Sequence, residues 1–151
     1  MAFGTTTYSG MGVTGAINSP YAGPFILAGA FLGRGKITVT MEHEWSEDDI
    51  AVDGAVMRSA SVGLQGMIEI ECQQTSSLNK YLKAAQNSHQ TALVNMDPSQ
   101  WASISLELQN LTTNDMNVCT GVSFTKKPPL PYGPKGEYIR WTLRAANITN
   151  L

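Results

Sequence analysis

From Lys36 onward the chain alternates with a period of two. Ile37, Val39, Met41, His43 and Trp45 fall on one side, and Lys36, Thr38, Thr40, Glu42 and Glu44 on the other. Successive side chains of a strand point to opposite faces, so this spacing predicts a half-buried strand. The same alternation predicts a long strand over 61–73, with Val62, Leu64, Gly66, Ile68, Ile70 and Cys72 inward and Ser61, Gly63, Gln65, Met67, Glu69, Glu71 and Gln73 outward. Over 101–109 it puts Ala102, Ile104, Leu106 and Leu108 inward and Ser103, Ser105, Glu107 and Gln109 outward, before a "TTND" turn. Met116, Val118, Thr120, Val122 and Phe124 then share a face, and Ile139, Trp141, Leu143 and Ala145 oppose Arg140, Thr142 and Arg144.

One segment breaks this rhythm. In "TSSLNKYLKAAQN", Leu78, Tyr81, Leu82 and Ala85 recur at helical spacing, Ser76 or Ser77 is placed to cap, and Asn87 and Ser88 to end the helix. A helix of about three turns follows. Residues 1–35 carry Gly4, Gly10, Gly12, Gly15, Gly23, Gly29, Gly33 and Gly35 with Pro20 and Pro24, which predicts turns and an extended arm that borrows a core from a neighbouring subunit. "KKPPLPYGPKGE" predicts a long exposed connection. The expected fold is mainly β: a single domain over 1–151, an antiparallel β-sandwich or barrel with one flanking α-helix.

Length and composition agree with that expectation. A chain of 151 residues is one domain's worth, and its charged fraction of 15% lies below the typical ~25%. A net charge of −2 excludes the basic excess of a tight nucleic-acid binder. The N-terminal stretch has no basic segment followed by an apolar run, and "FILAGAFL" is too short for a span of ~20 residues, so a soluble chain made in a reducing compartment is expected, with no membrane insertion. Cys72 and Cys119 sit in apolar stretches as ordinary small hydrophobes.

Charge is unevenly placed. "EHEWSEDD" at 42–49 concentrates acids, Asp53 follows, and Lys126, Lys127, Lys135, Arg140 and Arg144 gather near the C-terminus. Opposite potentials on separate segments favour head-to-tail association, with Glu47, Asp48, Asp49 and Asp53 against Lys126, Lys127 and Lys135 as candidate contacts; the bland alternative is two unrelated solvated loops.

Catalytic readings of these residues fail. Strand alternation puts His43 opposite Glu42 and Glu44, so the three cannot converge on one ion, and His89 is expected in a polar loop after the helix. Asp48 and Asp49 have no apolar wall in sequence to raise a carboxyl pKa for acid/base work. "GRGK" at 33–36 lacks the spacing of a phosphate loop, and no nucleophile motif is present. No enzyme activity, metal or cofactor is expected. What remains is a set of small neutral polar and acidic outward positions, Thr38, Thr40, Glu42, Gln65, Glu69, Glu71, Ser103, Ser105 and Glu107, which would form a smooth, weakly negative face if their strands adjoin.

The run "DGAVMRSASVGLQGMIEIECQQTSSLNKYL" (53–82), with its DG-V-R turn, Gly-punctuated amphipathic strand and Q-T-S-x-x-N-x-x-L helix start, resembles the tail tube proteins of contractile-tailed bacteriophages and related phage-tail-like particles. "GEYIRWTL" after the Pro-rich loop is similar too. The resemblance implies homohexameric rings stacked into a hollow tube in the virion tail, assembled in the host cytoplasm, with sheath, tape measure and baseplate proteins as partners. It implies that DNA passes through non-specifically, along a bore lined by the outward positions named above. Another tail-completion or tail-tip protein of the same fold, or a β-sandwich carbohydrate-binding module, are the alternatives. The second would need exposed aromatics on one face, whereas Trp141 shares its face with Ile139 and Leu143.

Overall fold

A computed structural model describes residues 13–28, 36–42, 44–111 and 114–151. Residues 1–12 and 29–35 of the arm expected over 1–35, His43, and residues 112–113 of the expected turn lie outside these. The described chain forms β1 (Val13–Ser19), β2 (Gly23–Ala28), β3 (Ile37–Met41), β4 (Ser46–Ile50), β5 (Val56–Ala60) and β6 (Gly66–Gln73), then α1 (Ser77–Val94). It continues through β7 (Ile104–Asn110), β8 (Asp115–Phe124), β9 (Tyr138–Ala145) and β10 (Asn147–Asn150). The strands run in the order β2-β1-β7-β8-β9-β6-β3, with β10 beside β8, every pairing antiparallel. β4 and β5 pair only with each other among the described residues. The architecture is thus mainly β with one described helix, as the alternation predicted.

The inward side of this path is the core. Ile68, Ile70 and Cys72 of β6, Ile139, Trp141 and Leu143 of β9, and Ile104 and Leu106 of β7 are buried. Complete burial of each large apolar side chain contributes about 1.5–3 kcal/mol. α1 covers this core through Leu78, Leu82 and Ala85. Its start is set by Ser76, whose Oγ accepts from the Asn79 N–H at 3.2 Å.

Four sequence expectations are corrected. First, residues 13–28 form a strand pair rather than an arm: β1 pairs with β2 and β7 and buries Ile17, while β2 buries Leu27. Gly15 lies so close to β7 that an added Cβ would collide with the Glu107 carbonyl oxygen, which is why glycine stands inside a strand here.

Second, the helix does not stop at Asn87 and Ser88. It has 18 residues and carries His89 into the interior, because the Ser88 and Thr91 hydroxyls satisfy themselves on the Ala84 and Asn87 carbonyls within the helix. Third, the long strand expected over 61–73 begins only at Gly66, leaving Val62 and Leu64 exposed, and Ala102 is exposed before β7 begins. Likewise β3 stops at Met41, so Trp45 is exposed and not part of its inward face.

Fourth, β8 does not keep one phase. Ile104 opposes Val122 and Leu106 opposes Cys119, so Ser105 alone faces both Thr120 and Gly121. This is a β-bulge with Gly121 at φ 64°, a conformation other residues resist. Before it the inward residue is Cys119 and after it Val122 and Phe124, while Thr120 is exposed.

Candidate functional site

The outward positions of β3, β6 and β9 adjoin through the register. Thr38 is opposite Glu69 and Thr40 opposite Met67; across the other edge of β6, Glu69 meets Thr142, Glu71 meets Arg140 and Met67 meets Arg144. Glu42 and Gln65 extend this patch beyond the strand ends, the Glu42 N–H donating to the Gln65 carbonyl at 3.2 Å. Six of the nine expected positions are therefore brought together: Thr38, Thr40, Glu42, Gln65, Glu69 and Glu71.

Ser103, Ser105 and Glu107 are not among them. Ser105 and Glu107 lie on β7, separated from that patch by β8, with Glu107 between Ala16 of β1 and Val118 of β8. Ser103 precedes β7, and its hydroxyl donates to the Gln100 carbonyl at 2.6 Å. The shared alternation of all these segments could not reveal which strands are neighbours.

The patch is also not weakly negative. Arg140 Nη2 stands 3.6 Å from Glu71 Oε2 and Arg144 Nε 3.9 Å from Glu42 Oε1, and Lys36 is exposed at the end of the same strand face. The acids Glu42, Glu69 and Glu71 are matched one for one by Lys36, Arg140 and Arg144. Such exposed pairs contribute only about 0–1 kcal/mol each to stability, so their effect is on surface potential.

Glu47, Asp48, Asp49 and Asp53 lie in β4 and the turn after it, not in an unstructured loop. Asp48 takes a bidentate pair from Arg58 of β5, at 2.8 and 3.3 Å, which fixes the hairpin register and spends both charges. Asp53 Oδ1 accepts from the Ala55 N–H at 3.0 Å and shapes the turn. Glu47 and Asp49 are left facing outward together with Ser59 and Met57. Trp45 ties the hairpin root: its Nε1–H donates to the Gly63 carbonyl at 2.9 Å, and the Ser61 N–H donates to the Trp45 carbonyl at 2.8 Å.

Lys126, Lys127 and Lys135 are exposed on the Pro-rich connection between β8 and β9. Gln74, the first residue of the Q-T-S-x-x-N-x-x-L run, holds that connection. Its Nε2–H donates to the Pro131 carbonyl at 2.9 Å, its Oε1 accepts from the Glu137 N–H, and its backbone N–H donates to the Glu137 carbonyl. Beside it Glu71, Lys126, Pro128, Pro129, Tyr138, Arg140 and Thr142 line an open cleft of about 420 Å³. A connection with three exposed lysines and an acidic hairpin thus occur on one chain.

His89 is buried against Ser19, its Nε2 2.9 Å from the Ser19 Oγ, with the Tyr21 ring edge-on at 4.9 Å. Burial lowers its pKa below the usual value, only partly offset by the Gln100 backbone. With Tyr81, whose hydroxyl donates to the Gly23 carbonyl, it fastens α1 to the β1–β2 pair. Burial raises both thiols, Cys119 to about 11, so they behave as apolar groups. Among the described residues no three His, Cys, Asp or Glu side chains are grouped to hold a metal ion, and no helix is long and apolar enough to cross a membrane.

The comparisons with known proteins agree with this geometry. The chain superposes over its full length on a component of the anti-feeding prophage baseplate (TM-score 0.54, 13% identity, 97% of that chain covered). It also superposes over its full length on a chain of the anti-feeding prophage tube-terminating cap (TM-score 0.55, 8% identity, 95% covered). A chain of an extracellular contractile injection system, the PVC sheath-tube complex in its extended state, covers 96% of this chain (TM-score 0.54, 6% identity, 91% of that chain). At these identities the likeness is one of fold. No curated protein matches. The model of the bacteriophage PhiTE tail tube protein matches residues 5–151, nearly the whole chain, and the protein belongs to that family of phage tail tube proteins.

Proposed function

We propose that six copies of this structural tail subunit close into a ring, that rings stack into a hollow tube, and that the tube conducts DNA into the host. The observation that carries the reading is the β4–β5 hairpin. Every residue of both strands is exposed, Ile50, Val56 and Met57 included, and among the described residues the hairpin pairs with none of the main sheet's strands. An isolated two-stranded hairpin is marginal in water, so this one is built to be completed by another subunit. Its acids Glu47 and Asp49 complement the exposed Lys126, Lys127 and Lys135 of a second copy, which gives head-to-tail stacking.

The β3–β6–β9 patch supplies the bore in this reading. Pairing Arg140 and Arg144 with glutamates leaves no excess of cations to hold phosphates, and each uncompensated cation would add binding free energy and slow passage. Sheath, tape measure and baseplate proteins are the expected partners, met during assembly in the host cytoplasm.

The structural neighbours from a baseplate and a tube-terminating cap favour a second reading, a tail-end protein of the same fold. Negative-stain microscopy of concentrated purified protein separates the two. Long hollow tubes support the tube subunit, single unstacked rings support the tail-end protein, and monomers at every concentration contradict both.

A further inference from the structure

We propose that the Pro-rich connection between β8 and β9 is a pre-ordered ligand that seats on the exposed Trp45 ring at the hairpin root of a second copy of this chain. The inference rests on the head-to-tail stacking above and names the contact that carries it. Lys127, Pro128 and Leu130 of "KKPPLPY" each precede a proline, which pushes them out of the helical region, and each proline fixes its own φ at about −65°. Such a segment favours the polyproline II form, with three residues per turn. The structure shows neither turn nor bend from Lys127 to Tyr132, and burial follows the period of three. Pro128 and Pro131 are half-buried, whereas Pro129, Leu130 and Tyr132 are exposed, Tyr132 by 87%. The Gln74 amide fastens the inner side through the Pro131 carbonyl, so Pro129 and Tyr132, again three apart, form an outward ridge. A ridge ordered in advance loses little entropy on binding, and the surface that recognises it is an exposed aromatic ring.

Trp45 has what that ridge requires. Its Nε1–H is already spent on the Gly63 carbonyl, which holds the indole in one orientation while 55% of the residue stays exposed. Trp101 is half-buried and Trp141 buried, so of the chain's three indoles Trp45 alone is offered in this way. Exposed Glu44, Glu47 and Asp49 lie close to it in sequence, and exposed Lys126, Lys127 and Lys135 flank the ridge, so the two surfaces also match in charge. They sit at opposite ends of β6. Gly63, which anchors Trp45, precedes its first residue Gly66, and Gln74, which anchors the ridge, follows its last residue Gln73. Eight residues of strand hold them about 26 Å apart. One chain therefore cannot bring them together, while a second copy placed head to tail can. A contact between two different surfaces of identical copies does not stop at a pair, so it repeats along a stack.

One test reads the contact in dispersed protein and another in tubes. A peptide of residues 126–135, "KKPPLPYGPK", is added at millimolar concentration to dilute ¹⁵N-labelled full-length protein. The Trp45 indole N–H resonance is expected to shift and that of buried Trp141 to stay, while a control peptide carrying Pro129→Ala and Tyr132→Ser moves neither. In tubes, Tyr132→Ala and Trp45→Leu are each expected to raise about tenfold the protein concentration at which tubes first form. The double variant is expected to raise it no further than the larger single effect, as residues in contact do. Tyr132→Ala keeps the fold because that side chain is exposed, whereas Trp45→Leu also frees the hairpin root from Gly63, which is why the peptide is read on unaltered protein. A Trp45 resonance unmoved by the peptide would overturn the proposal, as would penalties that add in full in the double variant. Wild-type protein that forms no tubes would contradict the stacking reading instead, and the peptide would still decide this contact.

Discussion

The sheet body and the β4–β5 hairpin are built from the same chain on opposite terms. In the body, β6 and β9 place Ile68, Ile70, Trp141 and Leu143 at 2% exposure or less, and the Trp141 indole and the Asn79 amide find partners inside. Trp141 Nε1–H donates to Asn79 Oδ1 at 3.0 Å, and Asn79 Nδ2–H to the Gln74 carbonyl at 3.0 Å. In the hairpin nothing is buried, although Ile50 and Val52 are 71% and 109% exposed. The body stabilises itself; the hairpin keeps its shape by register, through Asp48 with Arg58 and Trp45 with Gly63, and leaves its apolar surface for something else. A fold that separates stability from exposed contact surface in this way suits a subunit whose work is assembly.

Core changes should show the contrast most strongly. Trp141→Ala empties a fully buried site and orphans Asn79, and is expected to cost about 3–5 kcal/mol in urea unfolding. Gly66→Val comes next. Its side chain would meet the Thr40 carbonyl and Ile148 Cδ1 where β3, β6 and β10 converge, and about 1–3 kcal/mol should be lost. Asn79→Ala leaves the Trp141 N–H without its acceptor, an expected loss of about 1–3 kcal/mol.

Protonation sharpens the same comparison. His89 is neutral in both states above its unfolded value of 6.5, so it carries no pH dependence there. Below 6.5 the unfolded chain takes up a proton that burial denies the folded one, and stability falls with pH until the lowered folded pKa is passed. Urea midpoints measured from pH 8 to 5 should decline over this interval in the wild type and decline less in His89→Gln.

The smallest effect on the monomer falls on the hairpin. Glu47→Lys with Asp49→Lys should leave the unfolding free energy from urea titration within about 0.5 kcal/mol of wild type, because both side chains are exposed, yet shorten or abolish tubes. Asp48 is left out, since a lysine there would face Arg58.

Much of the body was legible because burial on one side of a strand imposes a period of two. Ile37, Val39 and Met41, Leu106 and Leu108, and Ile139 to Ala145 all face where that period puts them. Ser76 announced the start of α1. Illegible features depended on contacts distant in sequence. Residues 13–28 read as loop because glycine punctuates them, yet Gly15 is there to let β7 approach. The phase change at Gly121 follows from two residues facing Ser105, which no local pattern records.

The candidate surfaces were half legible for the same reason. The polar positions were recognisable, but that Glu71 and Glu42 meet Arg140 and Arg144, while Glu107 lies on a distant strand, is set by strand order.

Amide hydrogen exchange across residues 46–60, compared between dispersed and assembled protein, tests the division between body and hairpin most directly. The account predicts fast exchange of the hairpin in dispersed protein and strong slowing in tubes, with β6 and β9 protected in both. A hairpin equally protected in dispersed protein, or still exchanging freely inside tubes, would contradict it.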